Sequence, residues 1–392
     1  MFRVEEKAVS FIQKHLDVIF VAVISALALV LRITEMHWIS RDAQDYLLPW
    51  FQYIDSHGNR HALGDAIGNY NVPYYAVMAF LSYFPGEPIR LIKLPNIICD
   101  YLLAGAAGYC VWLLSQGNRK LKGILTYCVV LLSVNVILNS TVWGQCDVIY
   151  TLFVLLCVLA LFRDKVFPAF LFMGAAFAFK LQALFFLPVL VLYWFKNKKC
   201  SLLHFLIIPG VNLVLCIPAM IEGRKLSDIF TIYFRQTSEY NWMTLNYPNL
   251  YALLQVDYHR WYVFAVLLAF SAVGIGAYVL ARSGVDYSGS LIIESAIWFI
   301  WAILLFMPGM HDRYGYMIDI FAIILAMINR KWIWLAIFYN MVSFLSYTEF
   351  LFNYSLVELP ILAIVNMLMF AVYTVMWFKR ICCENGTEVL QS

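Results

Sequence analysis

Charge is what this sequence has least of. Only 13% of its 392 residues are Asp, Glu, Lys or Arg, while 63% are hydrophobic. An ordinary soluble domain is about 25% charged and about 45–50% apolar. So little charge cannot cover a soluble globule of this size, which excludes a cytosolic enzyme, a disordered chain, a nucleic-acid binder and any large soluble domain. The nine cysteines show no paired spacing that would mark a disulfide framework or a zinc site. Most lie inside apolar runs, where Cys behaves as a small hydrophobe. No Gly-rich phosphate loop stands between a strand and a helix, so no nucleotide-binding domain is expected. Neither a solenoid period nor an inverted-repeat symmetry is visible.

What the sequence does have is apolar runs of membrane length. A span needs roughly 20 apolar residues. The runs fall near 16–33, 93–115, 122–139, 147–162, 167–183, 184–195, 202–220, 260–281, 289–308, 314–329, 332–348 and 358–378. The expected fold is therefore an all-α polytopic membrane protein of about 12 transmembrane helices. The segment 72–84 is apolar but short and reads as a re-entrant or interfacial helix. The run from Tyr46 to Ile54 suits a helix lying in the interface, with its Trp and Tyr at headgroup level.

Basic residues orient the chain. With both termini in the cytoplasm, one side receives Arg3, Lys7, Lys14, Arg119, Lys120, Lys122, Arg163, Lys165, Lys196, Lys198, Lys199, Arg282, Arg330, Lys331, Lys379 and Arg380. The other side receives two long, aromatic-rich segments, 34–92 and 221–259. On that side the unusual polar clusters also fall: Ser40 to Asp45, Trp143 to Asp147, Lys180 with Gln182, Asn246 to Asn249, and Met310 to Tyr314. Acids among them can act as a general base, and Lys, Arg and His can neutralise a phosphate. Each also has a plainer reading. Asp42 and Asp45 suit a solvated first helical turn, Lys180 can snorkel from a helix end, and Trp143 can anchor at the interface. Asp100, Asp319 and Glu294 lie within spans, where pairing with another helix competes with substrate contact. His57, His61 and Asp65 have a helical metal-ligand spacing, but Gly58 and Gly64 make the segment a loop.

The segments SRDAQDYLLPW (40–50), IKLPNIICDYL (92–102), STVWGQCDVIY (140–150), AFKLQALFFLP (178–188), NLY (249–251) and MPGMHDRYGY (307–316) together resemble the GT-C superfamily of integral-membrane glycosyltransferases. The likeness is to bacterial relatives of the second mannosyltransferase of GPI-anchor assembly, and it runs from about residue 15 to about residue 330. It implies a GT-C-like module over 1–220, whose first external loop (34–92) carries interfacial helices. Residues 221–392 would add the second external loop and the C-terminal helices. It further implies a polyprenyl-phosphate sugar donor, an acceptor that is a glycan, lipid or envelope polymer, and inversion at the sugar carbon. Asp42 matches the catalytic base, with Asp45 as an alternative. Arg313, His311 and Lys180 match positions near the donor phosphate. Trp143, Gln145, Asp147, Gln182, Asn249 and Tyr314 match positions around the substrate cavity. No metal or other cofactor is expected, and the setting implied is a bacterial plasma membrane with the site on its external face. The composition also fits a multispan transporter or a lipid-linked sugar flippase, although such sites lie near the bilayer midplane.

Overall fold

The computed structural model describes residues 3–238 and 241–383. In chain order its helices are α1 (Arg3–Glu35), α2 (Leu48–Ser56), α3 (Val72–Leu81), α4 (Pro88–Leu114), α5 (Arg119–Leu131), α6 (Val134–Ile137), α7 (Asp147–Phe162), α8 (Val166–Phe179) and α9 (Leu187–Asn197). There follow α10 (Ile207–Ile221), α11 (Leu226–Ser238), α12 (Leu250–Leu254), α13 (Tyr258–Arg282), α14 (Ser290–Phe306), α15 (Tyr316–Ile328), α16 (Ile333–Phe352) and α17 (Leu359–Cys383). Among the described residues the strands are β1 (Thr244–Leu245) and β2 (Met310–His311), which pair in parallel.

Among the described residues six helical segments are long and apolar enough to cross a membrane unaided: Glu5–Glu35 of α1, α4, Leu202–Ile221 (which contains α10), α13, Arg330–Phe352 (which contains α16) and Leu359–Cys382 of α17. The segment α5 and its continuation Val134–Trp143, bent by 47°, make a seventh if counted together. Other apolar helices, among them α3, α7, α8 and α14, are shorter. Hydropathy alone gave all twelve runs equal weight. The structure separates them by where they sit.

The short helices α14 and α15 are central and the long α1 is peripheral. Residues 291–305 of α14 and 316–326 of α15 are all buried. A helix that is apolar on every side belongs in a core. The helix α15 packs on α4, α5, α7, α14 and α16. At a rise of 1.5 Å per residue its 13 residues reach only about 20 Å. Walled by protein, such a helix has no need of hydrocarbon length. By contrast the described side chains of α1 are buried only at Ala28 and Arg32, and most of its Leu, Val and Ile side chains turn outward. Helices α4 and α5 meet backbone to backbone, for a Cβ on Gly108 would lie 2.6 Å from the Gly123 carbonyl oxygen. Small residues at such crossings are a usual device of membrane helices.

The connectors divide between two ends of the bundle. At one end the turns after α7, α9 and α13 surround a cavity of about 690 Å³ that contains Asp164, Lys196, Lys199 and Asp286. At the other end the two long segments, 34–92 and 221–259, lie against each other. Arg60 Nε and His61 Nδ1 contact the Glu222 carboxylate at 2.7 and 2.6 Å. Arg224 donates to the Asp65 carbonyl and Gln236 to that of Asn69. The chain of α3 is capped by Asn71, which also donates to Asn212 on α10 at 2.7 Å. Residues 72–81 thus form a short, largely buried helix under this end.

Candidate active site

Two wide, π-type turns aim the first residues of the site. The Lys93 ammonium donates to the carbonyls of Met36 and Trp38 and holds the turn after α1. Ser40 Oγ then donates to the Trp143 carbonyl at 2.7 Å and accepts from the Ala43 N–H at 3.1 Å. Asp42 immediately precedes the first wide turn, Ala43–Leu47. The second, Leu138–Trp143, continues α6. It ends at Gly144, whose φ of +81° is a left-handed conformation that favours glycine and turns the chain into α7. Wide helical turns of this kind concentrate at functional sites.

The two turns meet at Asp42. Its Oδ2 accepts from Trp143 Nε1 at 2.8 Å and Gln145 Nε2 at 2.7 Å, and lies 3.5 Å from Arg313. All three donors converge on one oxygen. Oδ1 accepts no hydrogen bond from the described residues, and the side chain keeps 13% of its exposure. Asp147, fully buried at the start of α7, accepts from Asn139 at 2.8 Å, pairs with Lys180, and lies 3.8 Å from Arg313. The guanidinium of Arg313 therefore bridges two carboxylates, with its carbon 5.3 Å above the Trp143 ring. Lys180 is placed by the end of α8, where the backbone becomes extended, and its ammonium lies 5.6 Å over the Tyr70 ring.

These side chains line two cavities. One, of about 250 Å³, contains Asp42, Asp45, Trp50 and Gln145. The other, of about 260 Å³, contains Lys180, Gln182 and Tyr314 and has an aromatic wall that includes Phe179, Phe185, Tyr258 and Tyr262. Asn69, Tyr70, His311 and Arg313 line both. The anionic and cationic halves thus share a partition made of one cation, one imidazole, one phenol and one amide.

The partition is electrostatically uneven. Burial and the adjacent Arg313 charge hold His311 well below the ordinary imidazole value, so the ring is neutral near pH 7. Its Nδ1 accepts from Arg313 at 3.3 Å, which leaves the ring proton on Nε2. Burial pushes the neighbouring Asp312 carboxyl up to about 8, against the pull of Arg313. Asp312 Oδ1 accepts from the Arg313 N–H at 2.8 Å. Burial raises Tyr70 well above the ordinary phenol value, and its hydroxyl donates to Gln145 Oε1 at 2.8 Å. Gln182 hydrogen-bonds Tyr314.

The structure gathers Asp42, Trp143, Gln145, Asp147, Lys180, Gln182, His311, Arg313 and Tyr314 around these two cavities. Two residues stand apart. Asp45 borders the Asp42 cavity but is half exposed, facing the exposed Arg41 at 3.7 Å. Asn249 is buried and caps α12, accepting from the N–H groups of Tyr251 and Ala252, and it lines neither cavity. His57 stacks on Tyr53 with ring centroids 3.9 Å apart, while His61 faces Glu222. Among the described residues no group of three or more His, Cys, Asp or Glu is placed to hold a metal. The residues that sequence reasoning missed are Tyr70, Asn69 and Asn139. The polar run before the short helix α3 is the signal that could have pointed to the first two. The three acids inside helices have local partners: Asp100 pairs with Arg32 at 2.8 Å, Asp319 accepts from Ser343 at 2.9 Å, and Glu294 pairs with Arg380.

No known family model matches this chain, and no curated protein resembles it in sequence closely enough to count as a match.

Proposed function

We propose that this protein is an inverting membrane glycosyltransferase that moves a monosaccharide from a polyprenyl-phosphate donor to a glycan, lipid or envelope-polymer acceptor. One observation carries the reading. A carboxylate with one oxygen tied down and the other open stands across a shared partition from a buried lysine in an aromatic-walled cavity. In the reaction, Asp42 Oδ1 accepts the proton of the acceptor hydroxyl as that oxygen attacks the sugar carbon. The bond from the sugar carbon to the donor phosphate breaks, and the polyprenyl phosphate leaves on the far side with the electron pair. Arg313 and Lys180 stabilise the charge that gathers on the leaving phosphate, and neutral His311 is a hydrogen-bonding partner beside them. The aromatic wall suits the first isoprene units of the tail.

The proposed setting is a bacterial plasma membrane crossed twelve times, with both termini in the cytoplasm and the site on the external face. A transporter or flippase would need polar groups along a route to the opposite end. The in-helix acids are engaged by Arg32, Ser343 and Arg380, which favours the enzyme. The test is transfer of radiolabelled sugar from a synthetic polyprenyl phosphate to an acceptor in detergent, where no transmembrane gradient exists. Asp42→Asn should lower turnover by about 10²–10⁴-fold, and near wild-type turnover would sink the assignment. Asp45→Asn should stay within a few-fold of wild type, and its inactivity with Asp42→Asn active would move the base to Asp45.

A further inference from the structure

A second feature lies on the outer wall of the bundle, towards the end opposite the cluster. Helices α4, α7 and α8 enclose a groove of about 630 Å³, overwhelmingly apolar, walled by Leu102, Leu152, Leu156 and Phe172. Its floor is Gly105 and Ala106. A Cβ on Gly105 would meet nothing within 4 Å. This glycine, unlike Gly108 beside it, does not serve a helix crossing. It leaves a hollow. From Tyr101 to Tyr109 the groove follows α4 for about 12 Å at 1.5 Å per residue.

One end of the groove is cationic. Arg163 and Lys165, both exposed, close it at the turn between α7 and α8. The Arg163 guanidinium is held over the Tyr109 ring, 5.0 Å from its centroid. Neither cation has an acid partner among the described residues. Asp164, which stands between them in sequence, is engaged away from the groove by Lys199 at 2.7 Å.

We infer that this groove holds an acyl chain of an anionic phospholipid, whose headgroup phosphate rests on Arg163 and Lys165. An apolar slot ending in two unpaired cations complements an amphiphile with one negative head. A soluble phosphate would leave the slot unfilled. Basic pockets between membrane helices bind anionic headgroups in this way. The groove lies apart from Asp42 and Lys180, so the inference stands independently of the transferase reading.

The test is native mass spectrometry of the delipidated full chain with dioleoylphosphatidylglycerol or dioleoylphosphatidylcholine. The wild type should retain phosphatidylglycerol preferentially, by roughly fivefold for each cation engaged. Gly105→Leu places its side chain in open space and raises helix propensity. It should keep its melting temperature and lose retention of phosphatidylglycerol. Arg163→Gln with Lys165→Gln, on the surface, should still retain lipid but no longer distinguish the two headgroups. Equal retention of both lipids by the wild type would overturn the proposal. So would unchanged phosphatidylglycerol retention by Gly105→Leu. Displacement of phosphatidylglycerol by an equimolar polyprenyl phosphate would give the groove to the carrier lipid and reject the phospholipid.

Discussion

Two populations of buried acid occupy this bundle, and they are treated differently. Within the helices, Asp100 faces Arg32, with neither side chain exposed, and accepts from Ser140 at 2.6 Å. Glu294, itself buried, faces Arg380, whose side chain keeps 27% of its exposure. At the end carrying the cluster, Asp42 receives three donors on one oxygen and keeps the other open to a cavity. Both arrangements lower the cost of burying charge, but only the second leaves an atom for a substrate. A buried pair holds helices in register, whereas a half-satisfied carboxylate fixed by Trp143 and Gln145 is preorganised for chemistry.

The sharpest way to break this contrast is to compare Asp42→Asn with Asp100→Asn. The first should remove turnover by about 10²–10⁴-fold and leave the melting temperature close to wild type. The second strands the Arg32 guanidinium in a fully buried site and should cost about 3–5 kcal/mol of stability, read as a fall in detergent melting temperature. The surviving folded fraction should keep its specific activity. Replacing the pair by Arg32→Met with Asp100→Leu should recover most of the loss, because well-packed apolar groups substitute for a closed pair. An Asp100→Asn protein that is stable but inactive would place Asp100 in the catalytic machinery.

That contrast was only partly visible from sequence. The helical class followed from long apolar runs, and the candidate cluster from polar residues at their ends. Distances along the chain could not rank the runs, because α15 is as apolar as α1 yet is buried from Tyr316 to Ala326. Burial depends on neighbours, which hydropathy does not count. Nor could sequence separate Asp42 from Asp45, three residues apart. The wide turn after Asp42 directs it to Trp143, while Asp45 faces Arg41 in solvent. Asn249, which the resemblance places around the substrate cavity, caps α12 and lines neither of the two cavities. Tyr70 was overlooked because its role needs Gln145, 75 positions away.

Within the cluster, Lys180 sharpens the comparison next. It pairs with Asp147, which also has Asn139 and Arg313, so removal of the ammonium does not leave that acid alone. Lys180→Met should therefore fold, while kcat/KM for the polyprenyl-phosphate donor falls by about 10–100-fold, equivalent to one or two charge-assisted contacts. This is smaller than the Asp42 effect because Arg313 remains. A stability loss like that of Asp100→Asn, with donor kinetics unchanged, would move Lys180 and Asp147 to the closed population.

Asp312 stands between the two populations. It is buried like Asp100 but adjoins the open site, and its carboxyl is pushed up to about 8. Between the ordinary carboxylate range near pH 4 and about pH 8, the folded protein holds a proton that the unfolded chain releases. Stability from this group is full below that window and is lost as pH rises through it. Asp312→Asn keeps the acceptor oxygen for the Arg313 N–H and cannot ionise, so it removes the slope. Melting temperatures measured from pH 5 to pH 8.5 should show the wild type losing ground steadily to the variant. Parallel curves would mean that Asp312 is already ionised in the folded protein. Arg313 would then face three carboxylates instead of two, and part of its charge would be neutralised before any donor phosphate arrived.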